Sequence, residues 1–171
     1  MTLGPRLRKL VLTVHLVLSV GWIGAVLAYL ALDFVVARGD PQEAHAAYIA
    51  LGTIGQWVIV PLALGSWVTG LLISLATPWG LFRHYWVLIS FLLTTFAMVV
   101  LLEHIPGVAA AADAMRRSDP AAFHGSMRPD FEHAGGGLVV LLIVAVLNVY
   151  KPRGLTPYGW RRQMEVRARE S

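Results

Sequence analysis

The chain contains no cysteine. That excludes disulfides, thiolate metal ligands, iron–sulfur clusters, covalent c-type haem attachment and a cysteine nucleophile within these 171 residues. Charge is also scarce. Charged residues make up 14% of the sequence, against about 25% in soluble domains. Nucleotide and hydrolase signatures are missing too: there is no GxGxxG, Walker A, HExxH or GxSxG pattern. The GGG run at 135–137 opens an apolar segment, which is a poor setting for a phosphate loop. No alternating apolar–polar stretch of about 9–11 residues recurs, which argues against a transmembrane β-barrel.

What is abundant is apolar. Hydrophobic residues make up 57% of the chain, and the mean hydropathy is +0.64. The net charge of +4 would suggest nucleic acid in a soluble protein. Here the basic residues border apolar segments, so membrane orientation is the simpler reading and no nucleic-acid partner is expected. The fold class expected is all-α, a polytopic transmembrane four-helix bundle forming a single membrane domain.

Four segments carry that expectation, at about 10–36, 48–76, 83–105 and 133–150. Leu10 to Leu32 holds no formally charged side chain, which exceeds the roughly 20 residues needed to cross a bilayer. The basic start resembles a signal peptide, but the apolar run outlasts a usual h-region, so it reads as a retained helix. Gly39-Asp40-Pro41 marks a break within the linker 37–47. Pro61 is expected to kink segment two, and Gly52, Gly55, Ser66 and Gly70 to allow close helix approach. Residues 77–80 form a tight turn. Glu103, His104 and Pro106 are expected to end segment three, with a short interfacial helix in the alanine-rich stretch before Pro120. In the basic tail 151–171, Pro152, Gly154, Pro157 and Gly159 argue against a regular start, leaving helix at 163–170.

Four spans put both termini on one side. That side carries ten basic residues: Arg6, Arg8, Lys9, Arg83, Lys151, Arg153, Arg161, Arg162, Arg167 and Arg169. The other carries four, namely Arg38, Arg116, Arg117 and Arg128. The positive-inside rule then places both termini in the cytoplasm of a bacterial plasma-membrane protein.

Histidine within or bordering lipid needs a partner or a protein interior, and four such residues stand out: His15, His84, His104 and His133. Topology sorts them into an inner pair, His15 with His84, and an outer pair, His104 with His133. Imidazoles on facing helices are what axial ligation of a b-type haem requires. Gly21, Gly24 and Ala25 near the first pair, and Gly135–Gly137 near the second, would give a ring room. His84 and His104 are 20 residues apart, about 30 Å along a helix, so two haems would lie at opposite membrane faces. The alternative is that these residues are interfacial side chains bonded to water or a neighbour. A copper or zinc site from His45, His104, His124 and His133 is a further option.

Supporting residues complete the candidate set. Trp22 lies deep enough to pack against whatever the bundle holds. Asp33 shares a face with Tyr29 and sits near the outer end, where it can snorkel to water. Glu103 can orient an imidazole or pair with Arg116 or Arg117. Gln56 and Asn148 are polar groups at membrane depth, expected to bond across helices. No catalytic residue is singled out.

The stretches HLVLSVGWIGAV, PWGLFRHYWVL and HAGGGLVVLLIVAVLNVYKPRGLTPYG resemble a group of small actinobacterial integral membrane proteins of unassigned function, and more loosely the DUF2269- and CopD-like four-helix membrane proteins. The CopD likeness implies copper handling. Membrane b-type cytochromes, the other comparison, imply electron transfer. The scarcity of methionine weakens the first implication, and the two histidine pairs fit the second. Three functions are therefore carried forward: a b-haem protein with a redox role, an assembly subunit with a membrane-protein partner or a second copy of itself, and a copper or small-solute transporter.

Overall fold

The computed structural model describes residues 4–76, 80–117 and 128–170. Thr77, Pro78 and Trp79 of the expected turn, and Pro120 and His124 of the long connection, lie outside the described residues. Among the described residues the regular structure is helical, apart from an isolated bridge between His84 and Leu155. The helices are α1 (Pro5–Arg38), α2 (Pro41–Ile54), α3 (Val60–Ala76), α4 (Tyr85–Arg116), α5 (Phe131–Tyr150) and α6 (Pro157–Glu170). A π-helical turn, Gly55–Ile59, joins α2 to α3 without a break.

Among the described residues, four units are long and apolar enough to cross a membrane: α1, the continuous Pro41–Ala76, α4 and α5. Their outward faces confirm the solvent they are built for. Val17, Val20, Phe34, Phe96 and Val149 are all more than half exposed. In water such a surface would aggregate; in a bilayer it faces lipid. The chain is a multi-pass membrane bundle. α1 packs on α2, α3 and α5, and α4 packs on the same three. The spans thus run round the bundle in chain order, with α1 and α4 across the diagonal.

Local chemistry explains the joints. Gly39, at φ 81°, closes α1 in a left-handed conformation that costs glycine nothing. Asp40 then accepts the Gln42 and Glu43 amides at 3.0 and 2.9 Å, and Pro41 opens α2. The linker is therefore two residues, shorter than the expected 37–47. Proline 61 has no N–H for the carbonyl four residues back, and the wide π turn immediately before it absorbs the mismatch.

Two further expected boundaries are overturned. Segment three does not end at Pro106: α4 runs through it to Arg116. The alanines beyond it favour helix, and Ile105, Val108, Ala112 and Met115 bury one stripe against α2. That seam is close, since a methyl added at Gly52 would lie 2.5 Å from the Ala112 methyl. The tail is also helical earlier than expected, because Pro157 occupies the first helical position, where it is favourable. Thr156 caps α6 by accepting the Gly159 amide at 3.1 Å. Its own amide donates to the Arg83 carbonyl at 3.1 Å, which docks the tail on the start of α4.

Candidate functional site

The polar residues of interest gather at the end of the bundle away from the termini. α4 brings His104 to that end, and α5 starts there. Asp130 is the residue before α5, so His133 lies three positions on and folds back over it. One Asp130 carboxylate oxygen accepts from His133 Nδ1 at 2.7 Å. The other meets His104 Nε2 in an ion-pair contact. The two imidazoles stack, with ring centroids 4.1 Å apart and planes inclined by 15°. One ligand atom from each of His104, Asp130 and His133 falls within a 4.8 Å cluster.

α1 supports this cluster from behind. Asp33 is fully buried and its Oδ1 accepts the Asp130 amide at 3.0 Å. Phe34 packs on Phe131 at 4.9 Å between ring centroids, fixing the start of α5 against α1. The outward snorkelling expected of Asp33 is thus replaced by an inward structural role. The Asp33 Oδ2 and the Tyr29 hydroxyl are buried with no hydrogen-bond partner among the described residues. Below the cluster lies a cavity of about 280 Å³, bounded by Trp22, Tyr29, His104, His133, Gly136 and Gly137 among others. The glycines expected to leave room beside His133 do line open space: a Cβ on Gly136 or Gly137 meets nothing within 4 Å.

The inner histidines go to different neighbours. His15 turns its Nδ1 to α3, 3.1 Å from the Ser66 carbonyl and 3.0 Å from the Thr69 hydroxyl. Its ring fills the space left by Gly70, where a Cβ would approach Cε1 to 3.0 Å. His84 is the N-cap residue of α4, with its backbone bridged to Leu155. His15 is thus bonded to α3 while His84 caps α4, and their helices sit across the bundle from each other.

The remaining candidates separate in the same way. Trp22 is buried in the cavity wall. Asn148 donates to the Ser90 hydroxyl of α4 at 3.2 Å, a cross-helix bond of the kind expected. Gln56 is exposed on the π turn instead of bonding across helices. Glu103 is exposed and does not serve the imidazoles; Asp130 does. Arg116 pairs with Asp113 at 2.8 Å and with Thr53 at 2.7 Å rather than with Glu103. His45 reaches the Met115 carbonyl at 2.9 Å, tying α2 to α4 away from the cluster. Asp130 was missed by sequence reasoning. Its signal was the Asp-x-x-His spacing at the start of an apolar segment, the geometry of a side chain reaching over a first helical turn.

Chemically, two imidazoles and one carboxylate are a donor set for Zn²⁺, Cu²⁺ or Fe²⁺. The His133 N–H that binds Asp130 is a proton such an ion would displace. The same geometry does not fit a haem held by His104 and His133. Axial ligation needs the two nitrogens on opposite faces of a macrocycle, and stacked rings 4.1 Å apart leave no space for one between them. The sequence matches no family model, and neither the curated proteins nor the solved structures contain a significant match to it.

Proposed function

We propose that this protein binds a divalent transition-metal ion, copper or zinc, through His104, Asp130 and His133. The observation that carries the reading is the convergence of these three donors, from two facing helices, within 4.8 Å. Two features support it. Asp33 anchors the Asp130 amide, so the carboxylate is positioned by a buried group. The charge asymmetry of the flanks, ten basic residues against four, favours an orientation with this cluster on the outer face. A site there would take its metal from outside the cell.

The reading favours retention of the ion over passage through the bundle. Several deeper polar groups are committed to each other: Ser19 to Ser66 at 2.8 Å, Trp67 to Thr95 at 2.9 Å, and His15 to Thr69 at 3.0 Å. Metal handling at the membrane surface therefore suits the geometry better than a transport path or a two-haem electron wire.

The test is metal content. Detergent-purified protein is stripped with EDTA, loaded with Cu²⁺ or Zn²⁺, desalted and measured by mass spectrometry. About one ion per chain is expected. Asp130→Asn, His104→Ala and His133→Ala should each weaken retention, because each removes a ligand, while Asp33→Ala, which removes the group behind Asp130, should weaken it by about 10–100-fold. Copper-loaded protein should show nitrogen hyperfine coupling in its electron paramagnetic resonance spectrum. Wild-type protein that holds no more metal than the His104→Ala/His133→Ala double variant would end the proposal. So would a Soret band after haem-supplemented expression that the double variant abolishes.

A further inference from the structure

We infer that α6 is an interfacial helix that lies on an anionic lipid surface, at the end of the bundle where α1 starts. Its position comes from the backbone. The Thr156 amide donates to the Arg83 carbonyl at 3.1 Å, and the Tyr85 amide donates to the Gly154 carbonyl at 3.3 Å. Tyr85 opens a membrane span, so these bonds hold the start of α6 at the level where α4 enters the bilayer. Gly159 is buried against the same point, and a Cβ there would collide with the Arg83 carbonyl oxygen. Beyond it the helix is exposed from Trp160 to Ala168, apart from half-buried Gln163.

At about 100° per residue, α6 presents three faces. Gly159 and Gln163, about one turn apart, face the protein. Trp160, Met164 and Ala168 fall within about 80° of one another, and the first two are 58% and 49% exposed. Arg161 and Arg167 border this stripe on either side. Arg162, about 160° from Met164, marks a third face that pairs within itself: it donates to the Tyr158 hydroxyl at 3.5 Å and meets Glu165 at 3.4 Å. A helix lying along a membrane surface beside a bundle has these three neighbours: protein, lipid and water.

Charge selects the lipid. Arg161 and Arg167 have no carboxylate partner among the described residues. This end of the chain carries ten basic residues against two acidic ones, Glu165 and Glu170. An anionic headgroup layer supplies the missing countercharge. Tryptophan suits the headgroup level, and arginine reaches across apolar surface to phosphate. An open groove runs between Phe82, Tyr85 and Leu88 around the start of α4 and Pro157 and Arg161 of α6. A lipid whose acyl chain lies on Phe82 and Leu88 has its phosphate beside Arg161.

The experiment exploits the absence of cysteine: Met164→Cys and Arg162→Cys each give a single nitroxide site in the full chain. Both proteins are placed in nanodiscs of phosphatidylglycerol or phosphatidylcholine. In phosphatidylglycerol, the label at position 164 should collide more with oxygen, which concentrates in lipid, and less with water-soluble nickel-EDDA than the label at 162. In phosphatidylcholine its mobile spectral component should grow. Arg161→Gln and Arg167→Gln, added to the 164-labelled protein in phosphatidylglycerol, should each lower the ratio of immobile to mobile component about fivefold. Equal nickel access at the two positions in phosphatidylglycerol overturns the inference, as does an immobile fraction that is the same in both lipids. A label at 164 shielded from both reagents also overturns it, by placing protein over the stripe, and dipolar broadening would identify that protein as a second copy of the chain. The metal cluster lies at the other end of the bundle, so none of these outcomes bears on it.

Discussion

The α2–α4 seam offers a sharp test, because its tolerance can be worked from one distance. A methyl added at Gly52 would lie 2.5 Å from the Ala112 methyl, where two carbons prefer about 3.5–4.0 Å. Gly52→Ala must therefore push the helices apart by about 1 Å or more. Overpacking of that kind costs about 1–3 kcal/mol, partly offset by up to about 1 kcal/mol of helix propensity. Ala112→Gly alone loses about 1 kcal/mol of propensity together with its packing. In the double variant the propensity changes cancel and the seam again holds one methyl, so stability should return to within about 0.5 kcal/mol of wild type. The assay is unfolding by sodium dodecyl sulfate in mixed micelles, followed by far-ultraviolet circular dichroism, on all four proteins. A double variant whose loss equals the sum of the single losses would refute the close-packed seam. It would also remove the support for the outer part of α4, where His104 lies about two turns before Ala112.

Asp33→Ala should destabilise the bundle by about 1–3 kcal/mol, because it leaves the Asp130 amide without its acceptor; Asp33→Asn keeps an acceptor oxygen and should recover most of that in the same unfolding assay. Metal retention should rise with pH, since ions compete with protons for the imidazoles and the carboxylate; equilibrium dialysis at pH 5 and pH 8 reads the sign, and stronger binding at pH 5 would contradict ligation by histidine. His15→Leu should cost about 1–2 kcal/mol through the lost bond to α3 while leaving metal content unchanged, and a loss of metal would move the site to the other end of the bundle. Arg116→Ala removes an exposed ion pair with Asp113 and should cost less than about 1 kcal/mol in the unfolding titration.

Much of the architecture is legible in the sequence for a plain reason. A membrane span must satisfy its backbone internally and present apolar side chains over some 20 residues, so the run from Leu10 to Leu32 announces itself. The meeting of His104 with His133 follows from span count, because both lie near segment ends on the same side. Asp130 was harder to see, since it precedes α5 by one residue and its importance depends on where that helix begins. The bond of His15 to α3 was not visible at all, because nothing in its periodicity says which neighbouring helix it meets. Pro106 misled for a related reason: the lost backbone bond is local, but the stripe from Ile105 to Met115 that carries the helix onward is held by α2.

By itself the sequence determined the solvent, the number of apolar helices, the absence of thiol chemistry and the short list of histidines. Those are properties of contiguous residues, set by composition and run length. The tertiary structure alone decided which carboxylate serves the histidines and where open space remains. Helix order and rotation come from packing between segments far apart in the chain, such as Gly52 on Ala112, Gly70 on His15 and Asp33 on Asp130. The last of these turned Asp33 inward, while Gly136 and Gly137 lie beside a cavity instead of a neighbour.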